Sequence, residues 1–168
     1  LAASLALLSG LVSGCRNQTR VQVPNRVLDR PLDVALMCVR LNEDNTLTPL
    51  GVGDCDQPAE RPPSCFTAGP QLLGFIANSE RNEVAVFRRC DQTAAVVDVD
   101  DDTPGYQLIP VGQLPSEIET SALGCRVVTA NVESCDLSLI DGLGIAALAL
   151  EAEAEAVAPS SLVSKLVP

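Results

Sequence analysis

Residues 75–87 read Phe-Ile-Ala-Asn-Ser-Glu-Arg-Asn-Glu-Val-Ala-Val-Phe, and residues 128–140 read Val-Thr-Ala-Asn-Val-Glu-Ser-Cys-Asp-Leu-Ser-Leu-Ile. A shift of 53 positions superposes them without a gap. Ala77, Asn78 and Glu80 recur as Ala130, Asn131 and Glu133, while Val84, Val86 and Phe87 recur as Leu137, Leu139 and Ile140. Self-similarity at a fixed period marks an array of equivalent structural units. In each copy two apolar runs flank a polar, turn-forming stretch. Leu72–Ala77 and Glu83–Arg88 are therefore predicted to pair as one hairpin, and Arg126–Ala130 and Asp136–Asp141 as a second.

The units extend outward from these hairpins. Pro63-Ser64 followed by Phe66 matches Pro115-Ser116 followed by Ile118 with a slip of one residue, which places the first unit at 63–115 and the second at 116–168. Thr93–Val99 and Gln107–Val111 supply further strand material on either side of Asp100-Asp-Asp-Thr-Pro-Gly105. Leu166-Val167-Pro168 matches Leu108-Ile109-Pro110, so the second unit is expected to stop, incomplete, where its third strand begins. Upstream, the compact apolar run Val34–Leu41 lies between Pro31 and Asn42-Glu-Asp-Asn45 and carries no helical cap, so it is read as a strand. Thr46–Pro63 holds Pro49, Gly51, Gly53, Pro58, Pro62 and Pro63 and is expected to be loop for most of its length. These two stretches make up a segment 34–62. Between Gly142 and Val157, Ala146–Ala156 is rich in helix formers, but its Glu residues alternate with Ala and leave no apolar stripe. An exposed helix or a low-complexity insertion is expected there.

Leu1–Val12 is apolar or small and uncharged, and it leads into Val12-Ser13-Gly14-Cys15. A run this short fits a signal-peptide core, since a spanning helix needs ~20 residues. Small residues before a Cys resemble the lipobox of bacterial lipoproteins. That resemblance implies a signal peptide at 1–14, lipidation of Cys15 and a tether over 15–33. Several acyl chains on one residue hold a protein durably to a membrane. Arg16 rather than Asp after the cysteine leans toward the outer membrane by the enterobacterial sorting rule. The remaining cysteines, Cys38, Cys55, Cys65, Cys90, Cys125 and Cys135, are even in number and read as up to three disulfides in an exported chain. Cys55 and Cys65 flank the Pro-rich loop and are the simplest pair to expect. No Cys-x-x-Cys knuckle is present, which argues against zinc.

Several function classes are poorly supplied. The net charge is −11, which repels phosphate backbones and sets nucleic acid aside. There is no histidine, so Ser-His-Asp and Cys-His nucleophile pairs are excluded. Aromatic residues are limited to Phe66, Phe75, Phe87 and Tyr106. Asp98, Asp100 and Asp102 invite a calcium site, but Thr103 and Ile109 stand where an EF-type loop needs Gly and Glu, so a solvated acidic turn is the simpler reading. No cofactor is expected.

Phe75-Ile-Ala-Asn78, Val84-Ala-Val-Phe87, Ile109-Pro-Val-Gly112-x-x-Pro115, Val128-Thr-Ala-Asn131 and Leu137-Ser-Leu-Ile-Asp141 together resemble the YVTN-type β-propeller repeat. The resemblance covers about residues 63–141. Thr129 and Ile76 stand where that family favours Val, and the Asp-rich insertion lengthens the first unit. It implies an all-β fold, a partial propeller of about two four-stranded antiparallel blades, with the helical or low-complexity segment inserted near the C-terminus. A ring needs about four to eight blades, so a fragment of a longer protein is expected. By the same resemblance, Val34–Leu41 is a candidate to complete a last blade. The function implied is a membrane-anchored scaffold in the bacterial cell envelope that binds a protein or envelope ligand without catalysis. A propeller-type lactonase or glycoside hydrolase, or an inactive truncated product, is the alternative.

Overall fold

The computed structural model describes residues 28–56, 67–90, 93–100, 107–151 and 163–166. The expected signal peptide and Cys15, as well as Ser64, Cys65, Phe66, Asp102 and the alternating Glu-Ala stretch from 152 onward, lie outside them. The described chain is mostly strand, in two antiparallel sheets, one of them curled into a half-barrel.

The first sheet begins further upstream than its sequence match at Pro63 suggests. Its strands are β1 (Pro31–Leu41), β2 (Leu47–Leu50), β3 (Gly69–Asn78), β4 (Glu83–Cys90), β5 (Thr93–Val96) and β6 (Ile109–Pro110). The order is β2-β1-β3-β4-β5, with β6 sharing the β4 edge. The Pro/Gly-rich stretch expected to be loop therefore holds a short strand, followed by a 3-10 turn at Val52–Asp56. The second sheet runs β10-β9-β8-β7, from β7 (Pro115–Thr120), β8 (Arg126–Asn131), β9 (Asp136–Asp141) and β10 (Val163–Leu166). Strand β10 pairs with β9 as the fourth strand, not the third.

The predicted hairpins form, and both adopt the same register. Asn78 pairs with Glu83 and Ala77 with Val84; one period on, Asn131 pairs with Asp136 and Ala130 with Leu137. The repeat also reaches the first strands, where the sequence match is lost. Pro31 pairs with Asn78 and Pro115 with Asn131, and each strand then carries a register shift at its second step. Proline at the head of a strand removes no ladder bond, and a bulge there bends the strand. The positive-φ residues recur as well: Arg30 and Leu114 at 55° and 54°, Asn82 and Cys135 at 58° and 53°. Strand β1 is thus the counterpart of β7. The equivalence was hidden because residues 42–68 intervene between the first two strands of one sheet, whereas β7 and β8 are joined by a short turn.

The sheets stack with unlike faces together. Ala35, Met37, Val39, Leu73, Phe75, Ala77, Val84 and Val86 of the first pack on Ile118, Val127 and Ile140 of the second in one core. Alternation along a strand sends neighbours to opposite faces, so shifting each list by the repeat shows that different faces are used. Helix α1 (Gly142–Leu150) follows β9, with Asp141 as its N-cap accepting from Gly144 N–H at 3.3 Å. The exposed helix expected here is instead a core element: Ile145, Ala146, Ala149 and Leu150 join the inter-sheet cluster. Small Ala side chains let it sit close to the sheets, and an all-round apolar helix is a buried one. Arg88 donates from Nη1 to the Ala149 carbonyl near its end.

Candidate functional site

Three features could bear function: the polar seam between the sheets, a cavity beside it and the cysteines. The seam is built from the turn at 79–82 and the chain entering β7. Ser79 Oγ donates to the Pro115 carbonyl. Asn82 uses both its oxygens, accepting from Leu114 N–H at its side chain (2.9 Å) and from Val111 N–H at its carbonyl (3.0 Å). Asp33 Oδ2 accepts from Ile118 N–H at 2.9 Å, and Thr120 Oγ1 donates to the Leu36 carbonyl at 2.9 Å. Each of these satisfies a backbone group of the chain entering β7 or of the facing edges of β1 and β7.

Behind the seam, Asn131 donates from Nδ2 to Asp136 Oδ1 (2.7 Å) and Ser138 Oγ (2.9 Å), and Ser134 Oγ donates to the same Asp136 oxygen at 2.9 Å. Gly112 and Gln113 donate their N–H groups to Ser138 Oγ and Ser134 Oγ. The Gly of the Val-Gly-x-x-Pro turn is needed because a Cβ there would lie 2.3 Å from Asp136 Oδ1 and 2.5 Å from Asn131 Nδ2. Asp136 therefore shapes a turn. Asn78 does the corresponding work in the first sheet by accepting from Asp29 N–H at 2.6 Å, so both asparagines are turn residues as expected.

A cavity of about 250 Å³ opens where Val99–Asp100 and Gln107–Pro110 meet Ile145 of α1 and Val163 of β10. Its walls are mainly apolar, and it falls below the ~300 Å³ at which ligand pockets usually begin. Asp98, one of the calcium candidates, serves as a staple beside it: its Oδ1 accepts from Asp100 N–H (3.2 Å) and Gln107 N–H (3.0 Å). Asp100 lines the cavity. Among the described residues no three His, Cys, Asp or Glu side chains converge as a metal-holding group.

Of the disulfide candidates, Cys38 is bonded to Cys55, so the simplest expected pair, Cys55 with Cys65, is replaced. The cause is tertiary: the 3-10 turn after β2 carries Cys55 back over β1, where Cys38 is fully buried. Cys125 and Cys135 are free thiols, at turns on opposite ends of β8. Cys90 ends β4. Away from these features, Asp44 is held below its ordinary pKa, chiefly by the Thr46 hydroxyl and then by the Thr46 N–H.

Comparison with protein families, with curated proteins and with solved structures gave no match.

Proposed function

We propose that the chain is an exported, lipid-anchored protein whose two sheets are consecutive blades of a β-propeller-type array, serving as a non-enzymatic binding scaffold in the bacterial cell envelope. The observation that carries this is the recurrence, sheet to sheet, of hairpin register, bulged first strand and left-handed turn residues. Equivalent antiparallel sheets stacked by unlike faces are how blades cover one another. The Cys38–Cys55 disulfide supports an oxidising compartment and hence export. Loops held on a rigid sheet frame suit recognition.

No observation favours the hydrolase reading. The described carboxylates at the sheet ends are engaged in architecture: Asp33 and Asp98 hold backbone N–H groups, and Glu80, Glu83 and Asp141 pair with Arg30, Arg81 and Arg126. The anchor is tested by expressing the full chain and its Cys15→Ser variant in a bacterium with two membranes and analysing the N-terminal peptide by mass spectrometry. Acylated Cys15 in the membrane fraction, lost in the variant, is expected. Unmodified Cys15 in the soluble fraction overturns the anchored reading, and turnover of a lactone or aryl-glycoside panel by the purified chain replaces scaffold with enzyme.

A further inference from the structure

Both sheets are apolar on the face that the other does not cover. On the first, Val34, Leu36, Ile76 and Phe87 share the outer face, with Val34 52% exposed. On the second, Val128, Ala130, Leu137 and Leu139 point outward while Thr129 and Ser138 point into the core; Leu137 is 41% exposed. A sheet with one solvated face normally alternates apolar-in and polar-out. The second sheet is instead apolar on both faces: Ile118, Val127 and Ile140 point into the core while Val128, Ala130, Leu137 and Leu139 point out, which marks its outer face as a surface made to be covered.

The repeat says by what. Shifted by one period, Val84 and Val86 of the inter-sheet core become Leu137 and Leu139, and Ile140 becomes Phe87; Ile118 matches Val34 by register, since their cross-strand partners Thr129 and Ile76 are one period apart. The two outer faces are therefore the two halves of the internal contact, presented again at opposite ends of the molecule. An interface between unlike patches that recur at both ends is heterologous and propagates head to tail. Charge agrees: the first sheet's outer face carries Arg40 and Arg89, beside the part that the Cys55 turn covers at Cys38, and the second's carries Glu117 and Glu119 in addition to the paired Arg126 and Asp141.

We propose that a second copy of this chain docks there, the Val128/Leu137/Leu139 face of one molecule seating on the Val34/Leu36/Ile76/Phe87 face of the next. The proposal rests on the stacked-array reading above. The contact is weaker than the internal one, because the positions of Ser79 and Asn82 are taken by Val132 and Cys135, which cannot repeat their seam hydrogen bonds. Association is accordingly reversible and rises with concentration.

Sedimentation velocity on the full chain tests this, using Val34→Asp, Leu137→Asp and their equimolar mixture. Wild type forms a concentration-dependent series of oligomers. Each variant alone is monomeric at the same concentrations, its association weakened by about tenfold or more, as loss of a buried aliphatic side chain predicts. The mixture, with one good face on each molecule, stops at a dimer. Val34→Ser and Leu137→Ser, scored identically, replace any variant whose circular dichroism departs from wild type. A wild type that stays monomeric, or a mixture that does not dimerise, overturns the proposal and leaves the faces to a different partner. Hydrogen exchange at Ile118, whose N–H is held across the internal seam by Asp33, reads the stacked-array arrangement separately. Slow exchange there with a monomeric mixture removes the assembly alone, whereas fast exchange removes the stacking reading itself.

Discussion

The turns at 79–82 and 132–135 share a backbone and differ in what surrounds them. In both, the first two N–H groups donate to the two carbonyls preceding the sheet's first strand: Ser79 to Arg30 and Glu80 to Asp29, Val132 to Leu114 and Glu133 to Gln113. Both end on a residue in the left-handed region. Yet Ser79 is fully buried against the second sheet, and Val132, at the same place in its own turn, is 58% exposed. The backbone of a unit is set by the unit; the chemistry of its tip is set by whether another unit sits beside it. Ser79 and Asn82 have something to bind, whereas Val132 and Cys135 do not.

The largest contrast should come from the positions one period apart at the centre of β3 and β8. Phe75→Ala opens a cavity in the inter-sheet core and is expected to cost about 3–5 kcal/mol. Val128→Ala, on the outer face of β8, should cost less than about 1 kcal/mol. Chemical denaturation of both variants measures the gap, and equal losses would deny that the two positions face different environments. The cysteines give the next contrast. Replacing Cys38 and Cys55 together by Ala should lower stability by about 3 kcal/mol, the loop they close having a sequence separation of 17. Cys125→Ser should stay within about 0.5 kcal/mol of wild type. Thermal unfolding with and without reductant separates the two.

A smaller effect is expected where the units trade volume. A Cβ on Gly74 would lie 2.0 Å from Phe87 Cζ, while the same cross-strand pair in the second sheet is Val127 with Ile140. Gly74→Val alone should cost about 1–3 kcal/mol by overpacking, and adding Phe87→Ile should recover part of it. A double-mutant cycle with no coupling would show that the pairs are not equivalent. Smaller still are the turn tips. Ser79→Ala should cost about 1–2 kcal/mol, since it orphans the buried Pro115 carbonyl. Cys135→Gly should instead stabilise by up to about 1 kcal/mol, because the ~1–2 kcal/mol strain of a side chain at its positive φ outweighs the freedom Gly adds to the unfolded chain. The slightest effect lies at Asp44, whose folded-state pKa is lowered. Its contribution is present above the unfolded carboxylate pKa and fades as pH falls through the folded one. In an NMR titration Thr46→Val should raise the Asp44 midpoint.

The hairpins were legible because their information is local. Alternating Val84 and Val86, the polar stretch 78–82 and the recurring Asn specify strand, turn and register within a few residues. The first strand of the first sheet was misplaced at Pro63 because its true partner stands across the inserted residues 42–68, and nothing local links Pro31 to Asn78. The cysteine pair failed for the same reason. Ala146–Leu150 was read as helix-forming but exposed, since its burial depends on two sheets that converge around it. No residue constellation for chemistry was expected, and the candidate site consists of faces and a seam, which acquire meaning only when the sheets are stacked.

The sequence by itself determined the repeat unit: two hairpins, each turned by a polar stretch, with apolar residues on both faces of the strands. Those are short-range consequences of side-chain shape and alternation. Only the tertiary structure decided that β1 heads the first sheet, that Cys38 meets Cys55, that α1 is buried, and which face of each sheet is covered. Each of those depends on contacts between residues far apart in the chain, whose cost in loop closure is offset only once the whole core has formed.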